Sequence, residues 1–380
     1  MTLKDKLFLF LGLMLSVPFL KVTGQTQADR PCDEKATRET VNLYRNLKKL
    51  SGSGRYLIGH QDALAYGVQW KYEKGRSDVK DVTGDYPAVY GWELGHLEQG
   101  SARNLDGVAF DKMREFIRQG YKQGGVITLS WHGINPKNGK SAWDVEPGTV
   151  ASILPGAPYH DVYRKQLDRV ATFLLSLKGD KGEYIPVLFR PFHELTGGWF
   201  WWGAKTTTPE EYKTLFRFTV DYLQRIKGIH HLLYVYNTSG GLQSDEAFLE
   251  RYPGDDVVDI LSFDTYQFKN PQADFATSLK GDLALVEQLA QRKNKVAAVA
   301  EMGFSQIPDA NWWTGTVAPS LKGRNFAYVL FWRNAGVKPD NEMEYFVPYK
   351  GQVSEKDFVR YYRLPETLFQ KEARALKLYK

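Results

Sequence analysis

Eight short apolar runs, separated by longer amphipathic stretches, constrain this chain more than any other feature. The runs are Tyr56–His60, Pro87–Leu94, Val126–His132, Ile185–Glu194, Leu232–Asn237, Val258–Tyr266, Val296–Gly303 and Phe326–Arg333. Each is almost continuously hydrophobic and rich in Val, Ile, Leu and Tyr, as a strand buried on both faces of a parallel sheet must be. The stretches between them have helical spacing. In Thr208–Gly228, Thr208 is placed to cap a helix, Pro209 suits its first turn and Glu211 completes a capping box. Tyr212, Leu215, Phe216, Val220, Leu223 and Ile226 then share one face, and Lys227-Gly228 supplies a stop. Tyr163–Leu177 and Phe275–Arg292 repeat the pattern. Eight strand–helix units predict an α/β architecture, a (β/α)8 TIM barrel, with a doubly wound open sheet as the alternative. No Pro-, Gly- or Ser-rich linker divides the units, so residues 25–380 read as one domain.

The first 24 residues stand apart. Lys4 and Lys6 precede an apolar run from Leu7 to Leu20, and Val22-Thr23-Gly24-Gln25 offers a cleavage point after Gly24, the pattern of an export signal. The run falls short of the roughly 20 apolar residues a membrane span needs. A periplasmic or secreted bacterial protein is expected. Cys32 is the sole cysteine, so no internal disulfide forms, and it lacks the apolar and small residues that precede a lipoprotein cysteine. The formal charge is +6, yet acids are interspersed with the bases and runs such as Arg292–Lys295 are short, which argues for a solvated surface and against nucleic acid. A monomer is expected.

The predicted strands end in an unusual set of side chains: His60, Glu93 with His96, Trp131-His132, Arg190 with His193-Glu194, Asn237, Asp264 with Tyr266, Glu301, and Trp332-Arg333. A barrel places its catalytic groups on that rim, where the loops are free to vary. One histidine or arginine at a strand end is ordinarily a satisfied structural residue; polar groups at eight consecutive ends are not a core. Glu194 ends the fourth run and Glu301 the seventh, so a closed barrel turns both carboxyls toward one mouth. Paired carboxyls are the minimal equipment for hydrolysing a glycosidic bond, one protonating the leaving oxygen and the other attacking the anomeric carbon. Both lie in apolar sequence, where a carboxyl is either paired or pushed toward its neutral form.

All ten tryptophans fall at predicted strand ends or in the segments that follow them. Flat indole faces flanked by His, Arg and Asn fit the C–H faces of pyranose rings, so these residues read as sugar platforms. Competing motifs fail on inspection. Gly133–Ser141 misplaces the first glycine of a phosphate loop, and His193-Glu194 has Gly197 where a zinc protease needs its second histidine. Asn237-Thr238-Ser239-Gly240 lacks the first glycine of a nucleophile elbow. No spacing argues for a metal site.

The residues Ser130-Trp131-His132 with Asn135-Pro136, Arg190-Pro191-Phe192-His193-Glu194, Trp199-Phe200-Trp201-Trp202-Gly203, Asp264 with Tyr266, Ala300-Glu301-Met302-Gly303 and Trp332-Arg333 resemble glycoside hydrolase family 26, best known for β-mannanases. The resemblance spans roughly residues 35 to 380. It implies a (β/α)8 barrel and a retaining, two-step hydrolysis of β-1,4-mannan without metal or cofactor, Glu194 being the acid/base and Glu301 the nucleophile. By motif position His193 adjoins the acid, Arg190 opens its motif among the binding residues, and Tyr266 lies close to the nucleophile. His132, Trp199 and Tyr266 would bind the reacting sugar. Trp332 would be a stacking platform with Arg333 beside it, and Trp143 would line the leaving-group side. Mixed-linkage β-glucan and β-1,3-xylan are the alternative substrates within the resemblance, and an oligosaccharide-binding protein without turnover is the alternative class. The loops Gly133–Pro158 and Ala335–Gly351 are long enough to wall the cleft, which would favour short manno-oligosaccharides.

Overall fold

The computed structural model describes residues 29–268, 271–338 and 341–380, so the expected signal, residues 1–24, lies outside the described residues. The eight apolar runs form eight parallel strands: β1 (Tyr56–Gln61), β2 (Val89–Glu93), β3 (Val126–Trp131), β4 (Val187–Pro191), β5 (Leu232–Ser239), β6 (Ile260–Gln267), β7 (Val296–Phe304) and β8 (Tyr328–Phe331). Each pairs with the next, and β8 returns to β1 with Leu57 opposite Tyr328 and His60 opposite Phe331. That last pairing closes the sheet and disposes of the open-sheet alternative. Helices cover the outside, among them Phe110–Lys122, His160–Leu175, Pro209–Asp221 and Gln272–Lys293. The capping box at Thr208 forms in both directions: its hydroxyl accepts from the Glu211 N–H at 3.2 Å, and its own N–H donates to the Glu211 carboxylate at 2.7 Å.

Side chains inside the barrel change character from bottom to top. Leu57, Val89, Val126, Leu188, Leu233, Ile260 and Val296 form a buried apolar plug at the N-terminal ends of the strands. The helix Arg38–Ser51 seals this plug from below with Leu43, Tyr44, Leu47 and Leu50. It is tied in place by Thr37 N–H to the His230 carbonyl at 2.8 Å and by Tyr44 Oη to the Asn294 carbonyl at 3.0 Å. Gly59 sits one inward step above Leu57, and a Cβ there would lie 3.0 Å from the Val89 Cβ and 3.1 Å from the Leu330 Cβ, so a side chain from β1 in this layer would have to push its neighbours aside. One step higher the inward positions turn polar, with Ser130, Arg190, Asn237 and Asp264 all buried.

Strand β7 breaks the alternation at the height where it matters. Phe263 of β6 faces Val299, but the next residue, Asp264, faces Glu301; on the other side Val329 faces Val299 and Phe331 faces Met302. Ala300 is therefore the extra residue of a β-bulge. Val299 and Met302, three apart, both pack into the outer apolar layer. Strict alternation from Val296 and Ala298 would have turned Ala300 inward and Glu301 outward, because a slip of one residue exchanges the two faces of a strand. The bulge turns Glu301 into the mouth.

Truncating the bottom seal tests how far the barrel depends on it. Leu47→Ala removes a fully buried side chain from the plug and should lower stability by about 2–5 kcal/mol, read as a drop in denaturant midpoint with unchanged slope.

Candidate active site

Arg190 projects from β4 into the barrel and is buried. Its guanidinium reaches three strands: Nη1 donates to Asp264 Oδ2 on β6 at 2.8 Å and to Asn237 Oδ1 on β5 at 3.3 Å, while Nη2 pairs with Glu301 Oε1 on β7. The other oxygen of Glu301 accepts from the Tyr266 hydroxyl at 2.6 Å. With both oxygens held, the Glu301 carboxylate has one orientation. Asn237 completes the network by donating from Nδ2 to Asp264 Oδ1 at 2.8 Å and to Ser262 Oγ at 3.0 Å.

Glu194 stands on a strained turn that follows β4. Phe192 and Glu194 have φ of 52° and 51°, in the left-handed region that side chains of this size avoid. Hydrogen bonds fix the turn at every residue. The Phe192 carbonyl accepts from the Tyr212 hydroxyl at 3.2 Å, the His193 carbonyl from Trp202 Nε1 at 2.8 Å, and the Glu194 N–H donates to Asn237 Oδ1 at 3.0 Å. The Glu194 carboxyl receives Trp199 Nε1 at 2.5 Å. One oxygen from each of Glu194, Asp264 and Glu301 lies within 4.8 Å of the others. Carboxylates this close could hold a cation, but the Arg190 guanidinium already supplies the positive charge between two of them.

The two glutamates sit in different fields. Burial pushes the Glu194 carboxyl up to about 7, and the negative charge of Glu301 adds to the rise. A group so placed holds its proton near neutrality and can give it up. Glu301 has a guanidinium and a phenol as direct partners, whereas Glu194 has only an indole N–H. Two glutamates of one site thus have different direct partners.

Around this pair the remaining expected residues take their places. His132 follows β3 and lies 4.3 Å, centroid to centroid, from His193, their Nε2 atoms 3.0 Å apart. Trp143 stacks on His132 at 5.2 Å with 15° between planes and is 46% exposed. Trp332 stands 6.5 Å from His132. Trp199 is 44% exposed, so its indole face is open while its N–H is engaged by Glu194. Arg333 points away from the glutamates. It pairs with Asp106 of the loop after β2 and donates from Nε to Glu344 at 2.9 Å, and a cavity of about 510 Å³ opens beside it, lined by Tyr66–Lys71 on one side and Ala335–Val337 with Met343 on the other.

The tryptophan expectation needs correction. Trp70, Trp92, Trp131, Trp201, Trp202, Trp312 and Trp313 are buried, and only Trp143, Trp199 and Trp332 offer surface to the cleft. Placement after a strand does not distinguish a platform from a loop anchor. Asp264 and Asn237, recognised as rim residues but given no role, turn out to hold Arg190 and the Glu194 turn. Glu93, also without a role, is buried against His132, with its carboxylate accepting the His132 Nδ1 side at 2.8 Å. Asp106 and Glu344 gave no signal, being charged residues in loops.

The model of glycosyl hydrolase family 26 matches residues 32–315. A mannan endo-1,4-β-mannosidase of Bifidobacterium adolescentis is 33% identical over 353 residues, which covers 86% of this chain and 34% of that protein. One from Bacillus subtilis is 30% identical over 270 residues, covering 68% of this chain and 72% of the other. The chain thus spans about a third of the length of the Bifidobacterium relative. Among solved structures, a GH26 β-mannanase of Bacteroides ovatus, BoMan26A, aligns with a TM-score of 0.86 and 44% identity over 90% of this chain and 98% of that one. With three-quarters of its length matched by the family model, the same closed barrel and a glutamate pair formed by Glu194 just after β4 and Glu301 on β7, this chain belongs to glycosyl hydrolase family 26.

Proposed function

We propose that this protein is a retaining endo-type β-1,4-mannanase that works by double displacement, with Glu194 as acid/base and Glu301 as nucleophile. One observation carries the reading: an oxygen of Glu194 and an oxygen of Glu301 lie within 4.8 Å of each other. Retaining enzymes keep their carboxyls about 5–5.5 Å apart, and inverting enzymes leave about 6.5–9.5 Å for a water. In the first step Glu194 gives its proton to the glycosidic oxygen as Glu301 attacks the anomeric carbon; the C–O bond to the leaving sugar breaks and an ester forms. Esterification removes the charge of Glu301, one of the two causes of the raised Glu194 pKa. Glu194 then ionises more readily, as a base must. In the second step it takes a proton from water, whose oxygen attacks the anomeric carbon and releases Glu301.

His132, Trp199, Tyr266 and Trp332 surround this pair and are the proposed contacts of the reacting sugar, with Trp143 on the leaving-group side. His193 and Arg190 support them from below, since both are buried. Arg333 and its neighbouring cavity lie on the β8 side, where the paired segments Gly336–Val337 and Met343–Glu344 border it opposite Tyr66–Lys71. Mannan is favoured over mixed-linkage glucan and β-1,3-xylan by the relatives, which bear mannanase names over most of this chain. Export to the periplasm or medium and a single catalytic domain over residues 25–380 complete the proposal. Among the described residues no helix is long and apolar enough to cross a membrane.

Reducing-sugar release from β-mannan, mixed-linkage β-glucan and β-1,3-xylan decides the substrate. Release from mannan alone, abolished by Glu301→Ala, is expected; release from none, with mannan still bound, would make this a binding protein. The first-formed product should carry the β configuration by NMR. Glu194→Ala should spare aryl glycosides whose leaving group needs no proton while losing mannan, and equal loss on both would remove Glu194 as the acid. For the wild type, kcat/KM on mannan should fall as pH rises through about 7, where Glu194 loses its proton; a profile flat to pH 9 would contradict the assignment. A walled cleft predicts faster turnover of short manno-oligosaccharides than of polymer, measured as kcat/KM on each.

A further inference from the structure

Glu93 ends β2 beneath the histidines of the cleft and takes no part in either step above. Its carboxylate is fully enclosed by donors. Oε1 accepts the N–H groups of Gly95 at 2.5 Å and His132 at 2.7 Å; Oε2 accepts the Ser130 hydroxyl at 2.6 Å and faces His132 Nδ1 at 2.8 Å. A buried carboxylate in that position requires a proton on Nδ1. In neutral His132 the Nε2 is then bare, and it lies 3.0 Å from Nε2 of His193. Two bare nitrogens repel, so His193 must donate from Nε2, which leaves its own Nδ1 bare. That atom is buried with no hydrogen-bond partner, a place that suits a lone pair better than an N–H. One carboxylate thus sets the proton positions on two rings in series. It also sets the plane of His132, on which Trp143 stacks.

We propose that Glu93 is a positioning residue of the reaction, fixing His132 and His193 in single tautomers and ring orientations under the reacting sugar. The inference rests on the mannanase reading for its activity test and on geometry alone for its tautomer test. Other groups bear on the same proton: Arg190 and His193 from the β4 side and Glu301 from β7. Burial opposes charge on His132, and the charge and hydrogen bond of Glu93 with the charge of Glu301 together outweigh it, so its pKa is raised.

Glu93→Gln discriminates sharply because it nearly preserves shape. The Gln oxygen must face the two fixed backbone N–H donors, which puts its NH2 against His132 Nδ1. That nitrogen must then surrender its proton and accept, and the proton moves to Nε2. Nitrogen-15 NMR of the histidine rings reads this directly, above the pH at which His132 takes a second proton. Wild type should show His132 protonated at Nδ1 and His193 at Nε2; Glu93→Gln should show both reversed, with the acid titration of His132 moved to lower pH. On mannotetraose, kcat/KM should fall by about tenfold or more, the scale of a charged hydrogen bond. Glu93→Asp keeps the anion and should keep the wild-type tautomers. A bare His132 Nδ1 in wild type overturns the proposal without any variant. So does a Glu93→Gln enzyme within twofold of wild type, or equal losses in both variants with unmoved tautomers, the mark of packing alone. Should wild type release no sugar from any glycan, the mannanase reading fails, and the NMR comparison still decides the role of Glu93 in the ring pair.

Discussion

The buried guanidinium of Arg190 is the interaction on which the site depends. Asp264 and Glu301 enter the barrel from adjacent strands at matching heights, with Asp264 opposite Glu301 in the register. Two buried carboxylates side by side repel, and each has lost its water. Arg190 answers both, with one nitrogen for each, and leaves a weaker bond of 3.3 Å to Asn237. Asn237 then passes the constraint on, since the same Oδ1 that meets Arg190 accepts the Glu194 N–H. The Glu301 side and the Glu194 side are thereby one network over four consecutive strands, β4 to β7. Removing a partner from such a network leaves a charge buried and uncompensated, which costs far more than an exposed pair would.

Regular backbone could not have built this site. At Glu301 the bulge at Ala300 turns the carboxylate inward, and at Glu194 two residues in the left-handed region lift the acid above the end of β4. Each such residue costs on the order of 1–3 kcal/mol. The turn holds because Tyr212, Trp202 and Asn237 give it hydrogen bonds that a relaxed backbone would lose. The apolar plug below contributes differently: it fixes the strand positions, so the strained segments are carried on a frame that does not yield.

Sequence patterning made the frame legible and left its irregularities hidden. Each apolar run carries one strand, and β1, β5, β6 and β7 extend one or two residues past theirs, because strands buried on both faces need such composition along most of their length. The pairing of Glu194 with Glu301 was legible from their places in two of those runs. The direction of Glu301 was not legible, since the period of a strand turns it outward and only the bulge reverses this. Glu93 was visible at a strand end, but its partners Ser130 and His132 come from β3, and no local pattern joins them. Asp106, Glu344 and the cavity beside Arg333 depend on how two loops meet at the barrel mouth, which sequence spacing does not encode.

The aromatic residues show why composition misleads about function. An indole offers a large apolar surface and a single directed donor, so it serves equally as a platform for sugar and as an anchor for a loop. In the segment after Glu194 the chain uses both properties within four residues. Trp201 is buried and donates to the Gly133 carbonyl at 2.8 Å, pinning the loop after β3 to the loop after β4. Trp202 is buried and donates to the His193 carbonyl, closing the acid turn. Trp199 keeps its face open and donates to Glu194 itself. Phe200 stacks on Trp202 at 4.5 Å and meets His132 at 5.2 Å, which joins the anchors to the floor of the cleft. Trp201 and Trp202 therefore support the site without facing the cleft: Trp202 holds the strained turn that carries Glu194, Trp201 joins two rim loops, and a chain that needed only platforms would have no use for their N–H groups at those carbonyls.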